Sequence, residues 1–184
     1  MPDTAPYIIA PAPDAPRLTR AVEGVDHDGQ SQSISVVEER PLTIFLNAQE
    51  IVTAMTIGDY PEYLALGFLR NQGMLKDGEA VLRVDYDEEL ETVVVRTGGQ
   101  TTYEDKLKKK TRTSGCAVGT LFGDMMEGLE GLELPSSEVR TSDLYALAQR
   151  INTTPSLYLE AGAIHGTVLC EGPRPPVYME DVGR

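Results

Sequence analysis

Residues 42–57, Leu-Thr-Ile-Phe-Leu-Asn-Ala-Gln-Glu-Ile-Val-Thr-Ala-Met-Thr-Ile, predict two strands joined by a short polar turn. The apolar runs 42–46 and 51–57 are rich in β-branched residues, and Asn47-Ala-Gln-Glu between them is typical of a turn. Downstream, Val81–Tyr86 and Glu91–Arg96 predict a second hairpin of half-buried strands.

The segment between these hairpins predicts a helix. Asp59 suits the N-cap, Pro61 the first turn and Glu62 a capping box, while Gly73 suits the C-terminal end. The expected apolar face consists of Leu64, Gly67, Phe68 and Leu75. The order strand, strand, helix, strand, strand then predicts a small α+β domain over residues 33–97, which also includes a strand at Ile34-Ser-Val-Val.

The chain before this domain is expected to form a disordered tail over residues 1–32. Prolines interrupt its beginning, and residues 26–33 are polar and flexible in composition. His27 lies in this tail without a nearby cysteine or second histidine that could complete a metal site.

The last quarter of the chain, residues 136–184, predicts the opening of a second domain. Thr141 or Ser142 can cap a helix that runs to about Ile151. Strands are expected to start at Leu157-Tyr-Leu and to cover 164–169 and 177–179. Residues 98–135 join the two parts of the chain.

This connection contains Thr-Arg-Thr-Ser-Gly-Cys-Ala-Val-Gly at 111–119, directly after a basic run at 106–110. The thiolate is the reactive form of cysteine, and nearby positive charge stabilises it. Gly115 and Gly119 leave room for an accessible sulfur. Cys116 is therefore either a nucleophilic or sulfur-carrying residue on a loop, or an inert thiol.

Three segments resemble the formate dehydrogenase accessory sulfurtransferases, the FdhD family. They are the cysteine loop Arg112–Cys116, the helix segment Glu62–Met74, and Gly162-Ala-Ile-His165 followed by Glu180-Asp-Val-Gly-Arg184. Two departures stand out. Many members carry Cys-x-x-Cys, whereas Gly119 holds the second position here, and the terminal motif of the family continues beyond Arg184.

The resemblance implies a sulfurtransferase in which a cysteine desulfurase loads Cys116 with a persulfide. The sulfur then passes to a molybdenum bis(guanine dinucleotide) cofactor destined for formate dehydrogenase. Expected cofactor contacts are Lys109, Lys110, Arg112, His165, Asp181 and Arg184. The resemblance also implies that residues from 136 onward begin a cytidine-deaminase-like α/β domain. The alternatives are a non-catalytic binding module for the cofactor or the enzyme, a truncated remnant, or a nucleotide-binding module in which Cys116 is incidental.

Composition limits the other classes of function. A net charge of −13 disfavours general nucleic-acid binding, and no apolar run approaches the roughly 20 residues of a membrane span. Two cysteines, Cys116 and Cys170, form no disulfide framework, which favours a reducing, cytoplasmic location. His165 is followed by Gly-Thr and there is no Cys-x-x-Cys, so a zinc deaminase and a protein-held metal are both disfavoured. The expected partners are a desulfurase, formate dehydrogenase and a second copy in a homodimer.

For two residues, a purely structural interpretation stands beside the functional one. His165 could lie at a strand end and either contact a nucleotide or assist proton transfer at the sulfur. Alternatively, it is a partly buried histidine that is hydrogen-bonded to the backbone. Cys170 ends an apolar strand and is expected to be a packing cysteine.

Overall fold

The computed structural model describes residues 7–75, 78, 80–98, 133, 135–136 and 138–183, together with the backbone of 110–113 and 119–122. The chain divides into two compact units. One contains the described residues of Met1–Glu39 and Pro135–Arg184, and the other those of Arg40–Leu134.

The central unit is built on a four-stranded sheet in the order β4-β3-β6-β5. Its strands are β3 (Arg40–Leu46), β4 (Gln49–Thr56), β5 (Val81–Asp87) and β6 (Thr92–Thr97). The pairs β3–β4 and β5–β6 are antiparallel hairpins, as the sequence pattern predicts, whereas β3 and β6 run parallel in the middle. The parallel pairing brings together two apolar strands that are far apart in the chain.

The core of this unit lies between the sheet and helix α1 (Pro61–Asn71). Its buried side chains include Leu42, Ile44, Leu46, Ile51, Ala65, Leu69, Met74, Val93 and Val95. Burying one such aliphatic side chain contributes about 1.5–3 kcal/mol. The helix buries Pro61, Ala65 and Leu69, while Leu64 and Phe68 are partly buried and Gly67 is exposed. The expected apolar face is therefore rotated slightly from the one in the structure.

The ends of α1 differ in how well the sequence predicts them. Tyr60, in the left-handed region at φ 48°, is the N-cap and makes no side-chain capping bond. The predicted Asp59 cap and its capping box are therefore wrong, because the helix begins one residue later. At the other end, Gly73 (φ 64°) donates to the Arg70 carbonyl and Met74 to that of Leu69. This is a Schellman motif, in which glycine supplies the left-handed residue.

Replacing Gly73 by alanine should destabilise the protein by about 1–2 kcal/mol, because an L-residue resists the left-handed conformation. No atom lies close enough to clash with the added methyl group, so the cost is conformational. Chemical denaturation measures it. Gly67→Ala, in the same helix and equally open, should be neutral or stabilising. A neutral Gly73→Ala would show that the Schellman end does not form.

The same unit contains a further antiparallel pair, β7 (Lys110–Thr113) and β8 (Gly119–Phe122). The sequence pattern predicts only a loop here. Strand pairing on both sides of the cysteine segment was not expected, since these strands are short and show no apolar alternation.

The other unit begins with a hairpin that corrects a sequence prediction. Strands β1 (Thr19–Val25) and β2 (Ser31–Val37) pair along their full length, and Leu18 before them is buried. The disordered tail predicted for residues 1–32 is therefore wrong for this part. The composition suggests disorder because these residues are polar and the hairpin buries little apolar surface. Its turn is held by Asp26, whose side chain accepts hydrogen bonds from the amides of Asp28 and Gln30. The predicted domain start at residue 33 also changes, because β2 belongs with β1.

Residues 7–9 are packed as well. The amide of Ile8 donates to the Pro176 carbonyl at 2.8 Å, and the Tyr7 hydroxyl lies 2.9 Å from Oγ1 of Thr154. The Arg150 guanidinium lies over the Tyr7 ring, 5.3 Å from its centre. Tyr7 and the backbone of residues 8 and 9 therefore hold this segment against α2 and β10.

The rest of this unit comprises helices α2 (Thr141–Thr153) and α3 (Leu157–Glu160) and the antiparallel strands β9 (His165–Glu171) and β10 (Arg174–Asp181). The predicted helix and the last two strands are confirmed. Arg140, not Thr141 or Ser142, is the N-cap of α2, and no side chain caps it. The strand predicted at Leu157 is wrong, because side-chain acceptors hold this segment as a helical turn.

Candidate functional site

The segment around Cys116 is bounded by the hairpin β7–β8. Thr113 pairs with Gly119, and Arg112 pairs with Thr120. Residues 114–118, including Cys116, lie outside the described residues. What the structure defines is the pair of antiparallel strands that this five-residue segment of the sequence connects.

The predicted basic contacts belong to the same part of the chain. Lys110 and Arg112 lie on β7, while Lys109 and the C-terminal Arg184 lie outside the described residues. Lys110 and Arg112 are two positions apart on one strand, immediately before the cysteine segment.

In the other unit, the structure brings two predicted contacts together. His165 is the first residue of β9, Asp181 is the last of β10, and the two are directly paired across the strands. The His165 side chain is exposed and that of Asp181 is partly buried. Oδ1 of Asp181 accepts a hydrogen bond from the Val182 amide at 2.7 Å. His165 is exposed, so the partly buried histidine given as the alternative is not what the structure shows. A ligand contact by His165 and Asp181 stays a prediction.

Glu180, beside Asp181, has a structural task instead. Its side chain is 4% exposed. Its carboxylate accepts hydrogen bonds from the amides of Leu157 at 2.7 Å and Tyr158 at 3.1 Å. The Ser156 hydroxyl accepts a weaker bond from the Leu159 amide. These acceptors satisfy amides that α3 leaves without intrahelical partners, which explains why residues 157–160 are helical.

Tyr178 also contacts the Glu180 carboxylate. Its hydroxyl donates to Oε1 of Glu180 at 3.4 Å, and its side chain is 4% exposed. A Cβ atom at Gly166 would lie 2.8 Å from the Tyr178 ring, so the glycine in β9 makes room for this ring. Sequence reasoning missed this role for Gly166 and Tyr178. The Gly166 position inside an apolar strand was the available signal.

Burial raises the pKa of Tyr178 above its ordinary value, and the negative charge of Glu180 raises it further. The folded protein therefore holds the phenol proton more tightly than the unfolded chain, which titrates near pH 10. This contribution to stability is complete below about pH 10 and is lost as the pH rises through the folded pKa.

Tyr178→Phe should therefore lessen the loss of stability above about pH 10, because a phenylalanine ring cannot ionise. Near neutral pH it should cost only about 0.5–1.5 kcal/mol, because the bond to the carboxylate is long, at 3.4 Å, and therefore weak. Denaturant unfolding across alkaline pH measures both effects. The matched control is Tyr158→Phe, which removes a phenol that is 60% exposed. Identical alkaline profiles for Tyr178→Phe and wild type would contradict the assignment.

Cys170 requires a correction. The sequence pattern predicts a packing cysteine, but Cys170 is a free, exposed thiol on β9. The strand is buried little on either face, because six of its seven side chains are exposed. Cys170 is therefore a thiol that a reagent in solution can reach.

Among the described residues, no group of three or more His, Cys, Asp or Glu side chains could hold a metal ion. In the same part of the chain, none of the helices has the length and apolar character needed to cross a membrane.

Comparison with known proteins identifies the family. The model of the FdhD/NarQ family matches residues 37–184, which is most of the chain. The chain belongs to the FdhD/NarQ family. The resemblance carried by the three sequence motifs is thus confirmed.

Curated relatives in this family carry the name Sulfur carrier protein FdhD. The Bacillus subtilis protein is 27% identical over 159 residues, which cover 82% of this chain and 60% of the relative. The protein from Listeria monocytogenes serotype 4b is 24% identical over 154 residues, covering 82% and 59%. The chain therefore spans about 60% of the length of these FdhD relatives.

The fold also matches a solved structure. A protein from Desulfotalea psychrophila, named as a formate dehydrogenase accessory protein, superposes with a TM-score of 0.63 at 20% identity. The match covers 90% of this chain and 62% of the other. It supports a mixed α/β fold of the FdhD type.

Proposed function

We propose that this chain is a sulfur carrier that holds sulfur as a persulfide on Cys116. The observation that carries the proposal is the family match over residues 37–184, with relatives named as sulfur carriers. We assign the persulfide to Cys116 because the segment around it resembles the cysteine loop of the family. Cys170 lies on β9, outside that motif.

The chemistry needs one accessible thiolate and no competing thiol beside it. In the loading step, the Cys116 thiolate attacks the outer sulfur of a persulfide on a cysteine desulfurase. The new S–S bond forms as the old one breaks, and the desulfurase thiolate leaves with the electron pair. Gly119 stands where many family members have a second cysteine, so no thiol three residues away can expel the sulfur.

We propose as the sulfur acceptor a molybdenum bis(guanine dinucleotide) cofactor, the substrate of the second transfer, on its way into formate dehydrogenase. The basic run before Cys116 suits the pyrophosphate groups of such a molecule. The exposed His165 and its partner Asp181 suit contacts to ribose or base. These assignments, and a cytoplasmic location, remain proposals.

The proposal is tested by following labelled sulfur. The chain is incubated with a desulfurase and sulfur-labelled cysteine, repurified, and mixed with formate dehydrogenase that has not received its sulfur. Label on the chain and then on the enzyme-bound cofactor supports the carrier role. Binding of the enzyme or of guanosine diphosphate without any label on the chain would favour the alternative, a non-catalytic binding module.

A second test addresses the basic run. Replacing Lys108, Lys109 and Lys110 by glutamine should raise the pKa of the Cys116 thiol, because nearby positive charge stabilises the thiolate. We expect alkylation at pH 7 to slow about two- to fivefold, and the difference to shrink at high salt. The measurement uses the Cys170→Ser chain, since Cys170 is itself exposed. An alkylation rate that is unchanged across pH would show that the basic run is an ordinary solvated segment with no effect on the thiol.

A further inference from the structure

The hairpin β1–β2 lies almost wholly before the part of the chain that matches the family, since that match begins at Val37, the last residue of β2. A two-stranded ribbon is marginally stable by itself, and a further strand or packing stabilises it. In the part of the chain that the structure describes, no third strand pairs with either outer edge of this hairpin.

Two hydrogen bonds define which backbone groups of β2 face outward. The Asp26 amide donates to the Gln30 carbonyl at the turn, and the Glu38 amide donates to the Leu18 carbonyl at the other end. Bonded and non-bonded pairs alternate along an antiparallel ladder, so the even-numbered residues of β2 bond to β1. The residues that point their N–H and C=O groups away from β1 are therefore Ser31, Ser33, Ser35 and Val37.

The two edges of the hairpin differ in charge. β1 contains Arg20 and Glu23, whereas β2, with the sequence Ser-Gln-Ser-Ile-Ser-Val-Val, has no charge and no proline. Charged side chains and prolines are devices by which proteins block edge pairing. β2 is therefore the edge that is open to another strand.

The hairpin face beside this edge is largely apolar. Val22 and Ile34 are paired on it, and Ile34 is 54% exposed. A shallow depression of about 180 Å³ lies between these two residues and Gln32, and Gly24 keeps it open because it has no side chain. A cavity of about 150 Å³ can accept a benzene ring, so the depression has room for an aromatic side chain.

Acidic side chains lie at both ends of β2. Asp26 and Asp28 are in the turn before it, and the exposed Glu38 and Glu39 directly follow it. Negative charge at both ends favours an occupant with positive charge at both ends. It disfavours a second β2, because antiparallel pairing of two copies would bring the Glu38–Glu39 end of one beside the acidic turn of the other.

We infer that the outer edge of β2 binds an extended apolar segment of another protein, which carries a basic residue at each end. The segment adds as a third strand, antiparallel to β2, since this pairing is the more stable one per residue. Its main chain bonds to the outward groups of β2, and its alternate side chains cover Val36, Ile34 and the depression. This interaction is separate from the sulfur chemistry proposed for Cys116.

The register specifies a probe peptide, Lys-Thr-Val-Thr-Ile-Thr-Phe-Thr-Lys. Its lysines lie opposite Glu38 and Gln30, beside the acidic groups, and its phenylalanine lies opposite Gln32. Fluorescence anisotropy of the labelled peptide, titrated with the full chain, should show binding that weakens at high salt. Replacing both lysines of the peptide by glutamate should weaken binding at least about tenfold.

Backbone methylation of the peptide tests strand addition. N-methylation of the two threonines that pair with Ser33 and Ser35 removes donors to β2, and binding should weaken at least about tenfold. The matched control carries the methyl groups on its valine and isoleucine, whose N–H groups point away from β2, and should bind like the parent peptide.

A substitution in the chain tests which edge is used. Ser33→Pro removes an outward N–H, which an edge strand tolerates, and should weaken binding about tenfold. Ala21→Pro makes the same change on the outer edge of β1 and should leave binding unchanged. Thermal denaturation checks that both variants remain folded.

Four results would overturn the inference. The first is no binding of the parent peptide, and the second is equal binding by wild type and Ser33→Pro or by the two methylated peptides. The third is protection of the Ser33 and Ser35 amides from hydrogen exchange in the free monomer, which would mean that the chain covers this edge itself. The fourth is self-association that Ser33→Pro abolishes, which would assign the edge to a second copy.

Discussion

Glu180→Ala should destabilise the unit that contains β1, β2, β9 and β10 by about 2–4 kcal/mol. The carboxylate accepts hydrogen bonds from the amides of Leu157 and Tyr158, and the Leu157 bond is buried. Removing it leaves those two amides without their acceptor at the start of α3 and takes a negative charge from that helix end. Each bond to a charged group contributes about 1.5–3 kcal/mol, and partial access of water at Tyr158 lowers the sum.

Hydrogen exchange at the Leu157 and Tyr158 amides measures this effect locally, and urea denaturation measures it globally. The control is Glu171→Ala, which removes an exposed glutamate bonded to Arg174 and should cost less than about 1 kcal/mol. Glu180→Gln keeps one acceptor oxygen, so its cost in stability should lie between those of Glu180→Ala and Glu171→Ala. Equal costs for Glu180→Ala and Glu171→Ala would show that Glu180 does not cap α3.

Cys116→Ser should abolish loading with sulfur, whereas Cys170→Ser should load like wild type. Serine cannot form a persulfide, so the expected loss is complete. Both cysteines need to be compared, because Cys170 is exposed and free and could acquire sulfur or an alkylating reagent without any functional role. Intact mass after treatment with a desulfurase and cysteine gives the result for each variant.

The position of Gly119 extends this prediction. Gly119→Cys should shorten the lifetime of the persulfide, because a thiol three residues away can attack the inner sulfur and release sulfide. Gly119 begins β8 and pairs with Thr113, so its neighbour Thr120→Cys provides a control at the next position of the same strand. Equal lifetimes in both variants would show that the single-cysteine loop has no part in protecting the persulfide.

Local patterns predicted the central sheet well. The apolar runs at Leu42–Leu46 and Ile51–Ile57 specify strands, and Asn47 adopts the positive φ (55°) that its turn requires. The parallel pairing of β3 with β6 could not be predicted, since it depends on contacts between residues about 50 positions apart.

The errors have a common cause. Leu157 looks like the start of a strand, but Glu180, distant in the sequence, supplies the acceptors that make it helical. The segment before residue 30 looks unstructured, but Tyr7 and Leu18 pack against distant parts of the unit or within it. Cys170 was predicted to be buried from its apolar neighbours in sequence, but six of the seven side chains of β9 are exposed. Tertiary contacts override local preference in each case.

The candidate site was predicted in part. The pairing of His165 with Asp181 follows from the hairpin register, which the sequence indicates only as two strands. The sequence could not predict the role of Glu180. An acidic residue beside Asp181 looks the same in sequence whether it contacts a ligand or caps a helix. Burial and partners distinguish the two residues.

The most direct test of the sulfur-carrier account is peptide mapping of the wild-type chain after treatment with a desulfurase and cysteine. The account predicts one added sulfur on the peptide that contains Cys116, removed by a reductant, and none on the peptide that contains Cys170. Sulfur on Cys170, or on neither cysteine under conditions that load a known carrier, would contradict it.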